Sequence, residues 1–253
     1  MSRQFAVFMA IAVTLGAIAV PIPLQNESIV YLIPVTGEIE LGLAPYIQRT
    51  VQEAAEAGAA ALILDIDTPG GRVDAAETIS DALTDSEVPV YALVNRRAYS
   101  AGALIALSTS RIYMRPGSVI GAATPVDGTG TKAPEKIVSA MRSQMRALAE
   151  SHGLEPEVAA AMVDEDIEID GIVEKGKLLT LTTEEAVAIG YAEEIEDLDA
   201  LLRELGQESA RVVTPDLNWA ERLVRFFSSS LVSPFLLSLG FLGLLAEIRT
   251  PSF

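Results

Sequence analysis

Cysteine is absent from all 253 residues. That excludes thiol nucleophiles, disulfide staples and thiolate zinc sites together. Histidine is nearly absent: His152 stands alone, so the commonest proton shuttle is available at one place only. Lysine is scarce, with Lys132, Lys136, Lys175 and Lys177 the full set. Positive charge as a whole is thin, 18 Lys and Arg against 35 Asp and Glu, for a formal net charge of −17. Such a surface repels polyphosphates, which argues against a nucleic-acid partner. No long acidic run gathers that charge, so it reads as a solvated surface. Internal repeats are lacking too.

Hydrophobic residues are plentiful at 50%, and they gather at the two ends. Residues 1–24 begin with Arg3, continue as an apolar run from Phe5 to Val20 and offer Ala17-Ile18-Ala19 as a small–x–small cleavage pattern. This is the pattern of a signal peptide or signal anchor. Near the other end, residues 226–246 carry no charge, a length that spans a bilayer. Arg222 and Arg225 precede this stretch, Glu247 and Arg249 follow it, and Trp219 stands where interfacial aromatics lie. Three serines and Pro234 weaken its first half, which leaves a re-entrant or interfacial helix as the alternative. Residues 25–205 read as a soluble domain and 206–225 as a linker. A working signal would put that domain outside the cytoplasm.

Within the soluble part, strand and helix signals alternate. Ile29–Val35, Ala61–Ile66, Val88–Val94 and Arg111–Met114 read as strands. Ala44–Ala57, Val73–Leu83 and Ser100–Ser110 read as the helices between them. This alternation predicts an α/β fold with a mostly parallel sheet. A helical block follows at Pro134–Ser151, Glu155–Val163 and Thr182–Ile189, with Thr182 and Glu185 spaced as a capping box.

Three places could carry chemistry. Asp67-Thr68-Pro69-Gly70-Gly71 follows a strand, and its glycines leave backbone N–H groups uncovered. It is either a plain tight turn or a cradle for a phosphate or an oxyanion. Ser100, in Tyr99-Ser100-Ala101-Gly102-Ala103, opens a helix among small neighbours. It is either an N-cap or a nucleophile whose following amide, on Ala101, can face an oxyanion. A serine nucleophile needs a base. His152 precedes Gly153 at a helix end and reads as a surface cap. Lys136 opens an amphipathic helix and is either a solvated lysine or, in a pocket that disfavours its charge, the base. Asp65 and Asp67 alternate on a strand end without a third ligand, so no metal site is expected, and no cofactor.

Taken in order, Asp67–Gly71, Ala98–Gly102, Met114–Ala122 and Ala133-Pro134-Glu135-Lys136-Ile137 resemble the N-terminal protease domain of NfeD-type membrane serine proteases, within the ClpP/crotonase superfamily. The resemblance covers roughly residues 28–205 and extends into Leu239–Leu245, which looks like the first membrane helix of longer members. It implies a core of repeated ββα units. Residue by residue, it implies Ser100 as nucleophile, Lys136 as base, and the amides of Gly71 and Ala101 as oxyanion hole. ClpP itself uses a Ser-His-Asp triad, and this chain has no histidine in the matching stretch. The resemblance also implies stomatin- or flotillin-like membrane partners, substrates with hydrophobic peptide segments, and a homo-oligomer. Longer members carry further membrane helices and a small C-terminal β-barrel, so the chain is expected to be a truncated form or a fragment. Two rival readings share the fold. One is a catalytically silent scaffold that binds a stomatin-like protein; the other is a crotonase-like acyl-thioester enzyme, which would not need Ser100.

Overall fold

The structure is a computed structural model that describes residues 27–229 and 232–249. The expected signal segment lies outside the described residues. The elements run β1 (Ile29–Thr36), α1 (Leu43–Glu56), β2 (Ala61–Thr68), α2 (Val73–Thr84), β3 (Val90–Tyr99), α3 (Ala101–Leu107), β4 (Arg111–Met114) and β5 (Val119–Gly121). Then come α4 (Glu135–Ser151), α5 (Pro156–Ala161), β6 (Thr180–Thr182), α6 (Thr183–Ala188), β7 (Glu193–Glu194), α7 (Leu198–Glu204), β8 (Arg211–Val213), α8 (Trp219–Ser228) and α9 (Val232–Arg249).

One sheet organises the domain. Its main path is β6-β5-β3-β2-β1-β8, with β4 and β7 branching from β3. Every pairing is parallel except β5 with β6. β2 is central and buried on both faces from Ala61 to Leu64, as a covered parallel strand must be. The branch point explains the ββα character. Residues 91–94 of β3 pair with β4, and residues 97–99 pair with β5 instead. A register shift between Ile66 and Thr68 accompanies the change on the β2 side, and an irregularity there lets the strand change direction.

The helices cover the sheet by apolar stripes. α1 buries Leu43, Tyr46, Ile47, Thr50, Val51 and Ala54, the three- and four-residue spacing of one helical face. α3 is buried at every position from Ala101 to Leu107, which explains why it carries no charge. α4 turns Val138, Met141, Met145 and Leu148 inward. Each fully buried aliphatic side chain contributes about 1.5–3 kcal/mol; the main cluster packs one face of the sheet against α1 to α5, and a smaller one packs Val30, Ala61, Ile63, Leu93 and Tyr113 on the other face against Leu201 and Leu202 of α7. At the start of α6, Glu185 N–H donates to Thr182 Oγ1, and Thr182 N–H donates to Glu185 Oε2 at 2.8 Å. That is the capping box expected from the spacing.

The C-terminal region differs from the expected linker and helix. Within 206–225, β8 pairs with β1, and α8 packs on α1. Arg49 Nε donates to Glu221 Oε1 at 2.7 Å, and Arg49 Nη2 to Asp216 O at 2.9 Å. These long-range pairings hold a stretch whose composition alone reads as a connector. The uncharged run starting at Phe226 is divided, because Ser229 is extended (φ −63°, ψ 142°) and ends α8. α9 follows with a mean hydropathy of 1.5 and no burial, long and apolar enough to cross a membrane.

Candidate active site

The strand ends bring two of the sequence motifs into contact. β2 ends at Thr68 and leads into Pro69-Gly70-Gly71, while β3 ends at Tyr99 and hands Ser100 to the start of α3. A Cβ built on Gly70 would lie 2.6 Å from Ser100 Cβ and 3.2 Å from its Oγ. The Gly70 φ is +104°, so both its conformation and its closeness to Ser100 require glycine. Thr68 organises this approach. Its buried hydroxyl donates to Gly37 O at 2.6 Å and accepts from Gly70 N–H at 3.0 Å. Its methyl faces Gly102, where an added Cβ would stand 2.5 Å away. One side chain thus holds the glycine turn and seats the first turn of α3.

Ser100 has φ 53° and ψ −118°. A non-glycine residue in such a conformation costs on the order of 1–3 kcal/mol and persists only where its surroundings hold it. Here its amide donates to Gly121 O and Ala122 O, each at 3.2 Å. Ala122 itself has φ 42°. A serine on a strained strand-to-helix turn, with its side chain lifted from the backbone, is the arrangement of a nucleophile elbow. Ser100 occupies the N-cap position of α3, but its side chain makes no cap hydrogen bond there. Among the described residues, no hydrogen bond uses Ser100 Oγ, the Gly71 amide or the Ala101 amide. The adjoining strand is pinned from outside: Ile39 N–H donates to Gly70 O at 2.9 Å and Arg72 N–H to Ile39 O at 2.8 Å. Beside Ser100 lies a narrow apolar pocket lined by Val73, Ala76, Leu104, Ala123, Pro125 and Met141.

The lysines separate clearly. Lys132 pairs with Glu165 at 3.1 Å, and this partner raises its pKa, the wrong direction for a base. Lys175 pairs with Asp166 and Lys177 with Glu174. Among the described residues, Lys136 alone of the four makes no ion pair. It stands exposed in the first turn of α4, five residues before Met141 enters the pocket. The structure therefore brings Ser100, Gly71 and Ala101 together and leaves Lys136 outside the pocket lining.

The remaining candidates are structural. His152 is the C-cap of α4, and its amide donates to Ala149 O at 3.2 Å. Its ring borders a cavity of about 550 Å³ with Leu107, Tyr191 and Glu193. That cavity opens at the far end of α3 from Ser100. Asp65 accepts from Asn95 Nδ2 at 3.1 Å, and burial raises its carboxyl pKa. Asp67 pairs with Arg97 at 2.9 Å. Sequence reasoning missed Thr68 as the residue behind the site. Its signal was present, since a threonine two residues before a turn amide is an ST-turn pattern.

Residues 29–215 match the family described as NfeD1b, N-terminal domain. The membrane protein NfeD1b of Bacillus subtilis (strain 168) is 42% identical over 228 residues, 89% of this chain and 52% of that protein. Membrane-bound protease PH1510 of Pyrococcus horikoshii is 28% identical over 256 residues, 91% of this chain and 55% of that protein. The chain spans about half the length of these curated relatives. A solved lysine-to-alanine mutant of the 1510-N membrane-bound stomatin-specific protease, in complex with a substrate peptide, superposes with a TM-score of 0.68 at 27% identity. That match covers 80% of this chain and 99% of the other. ClpP1 from Listeria monocytogenes shares the fold, with a TM-score of 0.52 at 23% identity over 67% of this chain and 94% of that one.

Proposed function

The chain belongs to the family of NfeD1b N-terminal domains, and from that membership we propose that it is a membrane-associated serine endopeptidase working through a Ser100–Lys136 dyad. The carrying observation is the strained Ser100 beside two amides, of Gly71 and Ala101, that no other group uses among the described residues. Neutral Lys136 takes the Ser100 proton as Oγ attacks a peptide carbonyl. The tetrahedral oxyanion is held by the two amides, the kind of contact worth roughly 2.7–4 kcal/mol each in acyl transfer. The C–N bond breaks as the lysine ammonium protonates the leaving amine. Neutral Lys136 then deprotonates a water that attacks the acyl-enzyme carbonyl, and the acyl–Oγ bond breaks as the lysine ammonium returns the proton to Ser100 Oγ.

The lysine assignment rests on elimination together with the family resemblance. The other three lysines are paired with carboxylates, and for Lys132 the Glu165 hydrogen bond raises its pKa. An unpaired Lys136 is free to fold back toward Ser100, and catalytic contacts often tighten only when substrate is bound. The pocket beside Ser100 is lined by apolar side chains but holds only about 10 Å³, so a substrate side chain enters it only if that lining moves. Solved serine-to-alanine and lysine-to-alanine mutants of the stomatin-specific protease point to the same two residue types in a relative. Stomatin- or flotillin-like membrane proteins with hydrophobic segments are thus the proposed substrates and partners. A homo-oligomer is the proposed assembly, and an extracytoplasmic protease domain behind an N-terminal signal is the proposed orientation.

The test is fluorophosphonate labelling of the detergent-solubilised full chain, followed by peptide mass mapping. The expected adduct is on Ser100, absent in Ser100→Ala and slowed by orders of magnitude in Lys136→Ala. Unchanged labelling in Lys136→Ala would remove the lysine from the mechanism. A folded wild type that takes no label and cleaves no peptide would favour the silent scaffold, a reading that the exposed position of Lys136 keeps in play.

A further inference from the structure

The amphipathic helix α8 is docked the opposite way round from a helix of a soluble protein. At ~100° per residue, Glu221, Arg225 and Ser228 fall within about 60° of arc, and Trp219, Leu223, Phe226 and Phe227 fall within about 100° on the other side. The polar face meets the domain. Glu221 pairs with Arg49 at 2.7 Å, Arg225 with the nearly buried Glu40 at 2.9 Å, and Ser228 Oγ donates to Glu40 Oε2 at 2.9 Å. The apolar face points away from the domain: Trp219 is 76% exposed and Phe226 57%. A soluble surface helix buries its apolar stripe and shows its charges.

What covers that face is indicated by its neighbour. α8 ends at Ser228, and α9, apolar throughout and long enough to span a bilayer, begins at Val232. Phe227 and the α9 residues Leu236, Gly240 and Leu244 line one apolar crevice, so the exposed face of α8 continues onto the candidate span. Trp219 is an aromatic type that settles at headgroup depth, and Trp, Phe and Leu together on one face are the pattern of a helix lying in the interface. We propose that α8 lies in the membrane interface, its apolar face in lipid, and that its charged face clamps the protease domain down onto the bilayer.

The clamp fixes what faces the lipid. Glu40 neighbours Ile39, whose N–H and C=O hold Gly70 and Arg72 on the strand beside Ser100. An interfacial α8 therefore sets this edge of the domain at the membrane surface. The inference about α8 itself does not depend on peptidase activity.

Trp219 is the single tryptophan of the chain, so its emission reports α8 alone. The full chain is reconstituted in phosphatidylcholine vesicles carrying bromines either near the carbonyl end or near the methyl end of the acyl chains. Blue-shifted emission is expected, with most of it lost to the shallow bromines and little to the deep ones. The double variant Trp219→Phe, Phe227→Trp moves the probe eight residues, about 12 Å along the axis. The same shallow quenching is expected there, because a helix lying in the interface keeps both positions at one depth. Deep quenching of the second probe would make α8 an extension of the span and overturn the proposal. So would red-shifted unquenched emission, which means water, or blue-shifted unquenched emission, which means protein, such as a second copy of this chain.

Discussion

Thr68→Val removes one hydroxyl and keeps the shape, so its effect isolates the hydrogen bonds behind the site. Two groups lose their partner: the Gly70 amide, which donates to Thr68 Oγ1 at 3.0 Å, and the Gly37 carbonyl, which accepts from it at 2.6 Å. Thr68 is fully buried and Gly70 is buried behind Ser100. Water therefore has no ready route to the amide, and an orphaned buried donor costs roughly 1–3 kcal/mol. For a domain of this size about 1 kcal/mol shifts the melting temperature by ~2–4 °C, so a loss of roughly 2–12 °C is expected. Thr68→Ser is the control. It keeps both hydrogen bonds and removes only the methyl that fills the space against Gly102, costing about 1 kcal/mol. The two variants should separate more sharply in chemistry than in stability. Thr68→Ser leaves the Gly70–Gly71 strand in place, and Ser100 should label nearly as fast as in wild type. Thr68→Val frees that strand, and a misplacement approaching 1 Å near reacting atoms costs about 10²-fold. Calorimetry gives the first number and the fluorophosphonate labelling rate the second. If Thr68→Val melts and labels like wild type while Thr68→Ser does not, packing rather than hydrogen bonding seats this strand, and the argument fails.

Other outcomes follow from the same contacts. Gly70→Ala places a methyl 2.6 Å from Ser100 Cβ at a φ of +104°, so labelling should fall by about 10²-fold with a stability loss on the order of 1–3 kcal/mol, read by the same two assays. The Arg49 hydrogen bond holds the Glu221 carboxyl below the usual glutamate range, against the opposing effect of burial. A depressed carboxylate stabilises the fold above its unfolded value and loses that contribution as pH falls through the folded one. Melting temperature should therefore drop from about pH 5 downward, and Glu221→Gln should flatten the part of that slope owed to this pair; parallel slopes would show the pair to be uncoupled from folding. Arg49→Ala leaves Glu221, 5% exposed, without its cation and should cost about 2–3 kcal/mol, seen as faster amide exchange across α8; exchange unchanged from wild type would mean that α8 is held by something else.

How much of this was legible in the sequence follows from how local each signal is. The strands and helices from β1 to β4, and α4 after them, were readable because each carries its own periodicity, and the capping box at Thr182 needs only residues three apart. The strands β5, β6 and β8 were not, because three residues carry no period and exist only through their partners. Ser100, Gly71 and Ala101 could be named from small-residue motifs, but their meeting depends on β2 and β3 lying side by side. The lysine question was undecidable from the sequence for the same reason. Lys132 and Lys136 stand four residues apart in one polar stretch, and what separates them is Glu165, 33 residues away in sequence and 3.1 Å away in space. α8 illustrates the opposite failure, since its two faces are plain on a helical wheel. A hydropathy scan registers the uncharged run from Phe226 and passes over the alternation of Trp219, Glu221, Leu223 and Arg225 before it. The site divides accordingly. The proposed nucleophile and oxyanion amides sit at the end of a buried parallel sheet, where folding energy holds a strained serine in place. The lysine stands on the exposed first turn of a helix, where little holds it. If Lys136 is the base, stability and activity should respond to different substitutions: changes under Ser100 should move both, whereas changes in the first turn of α4 should move activity alone.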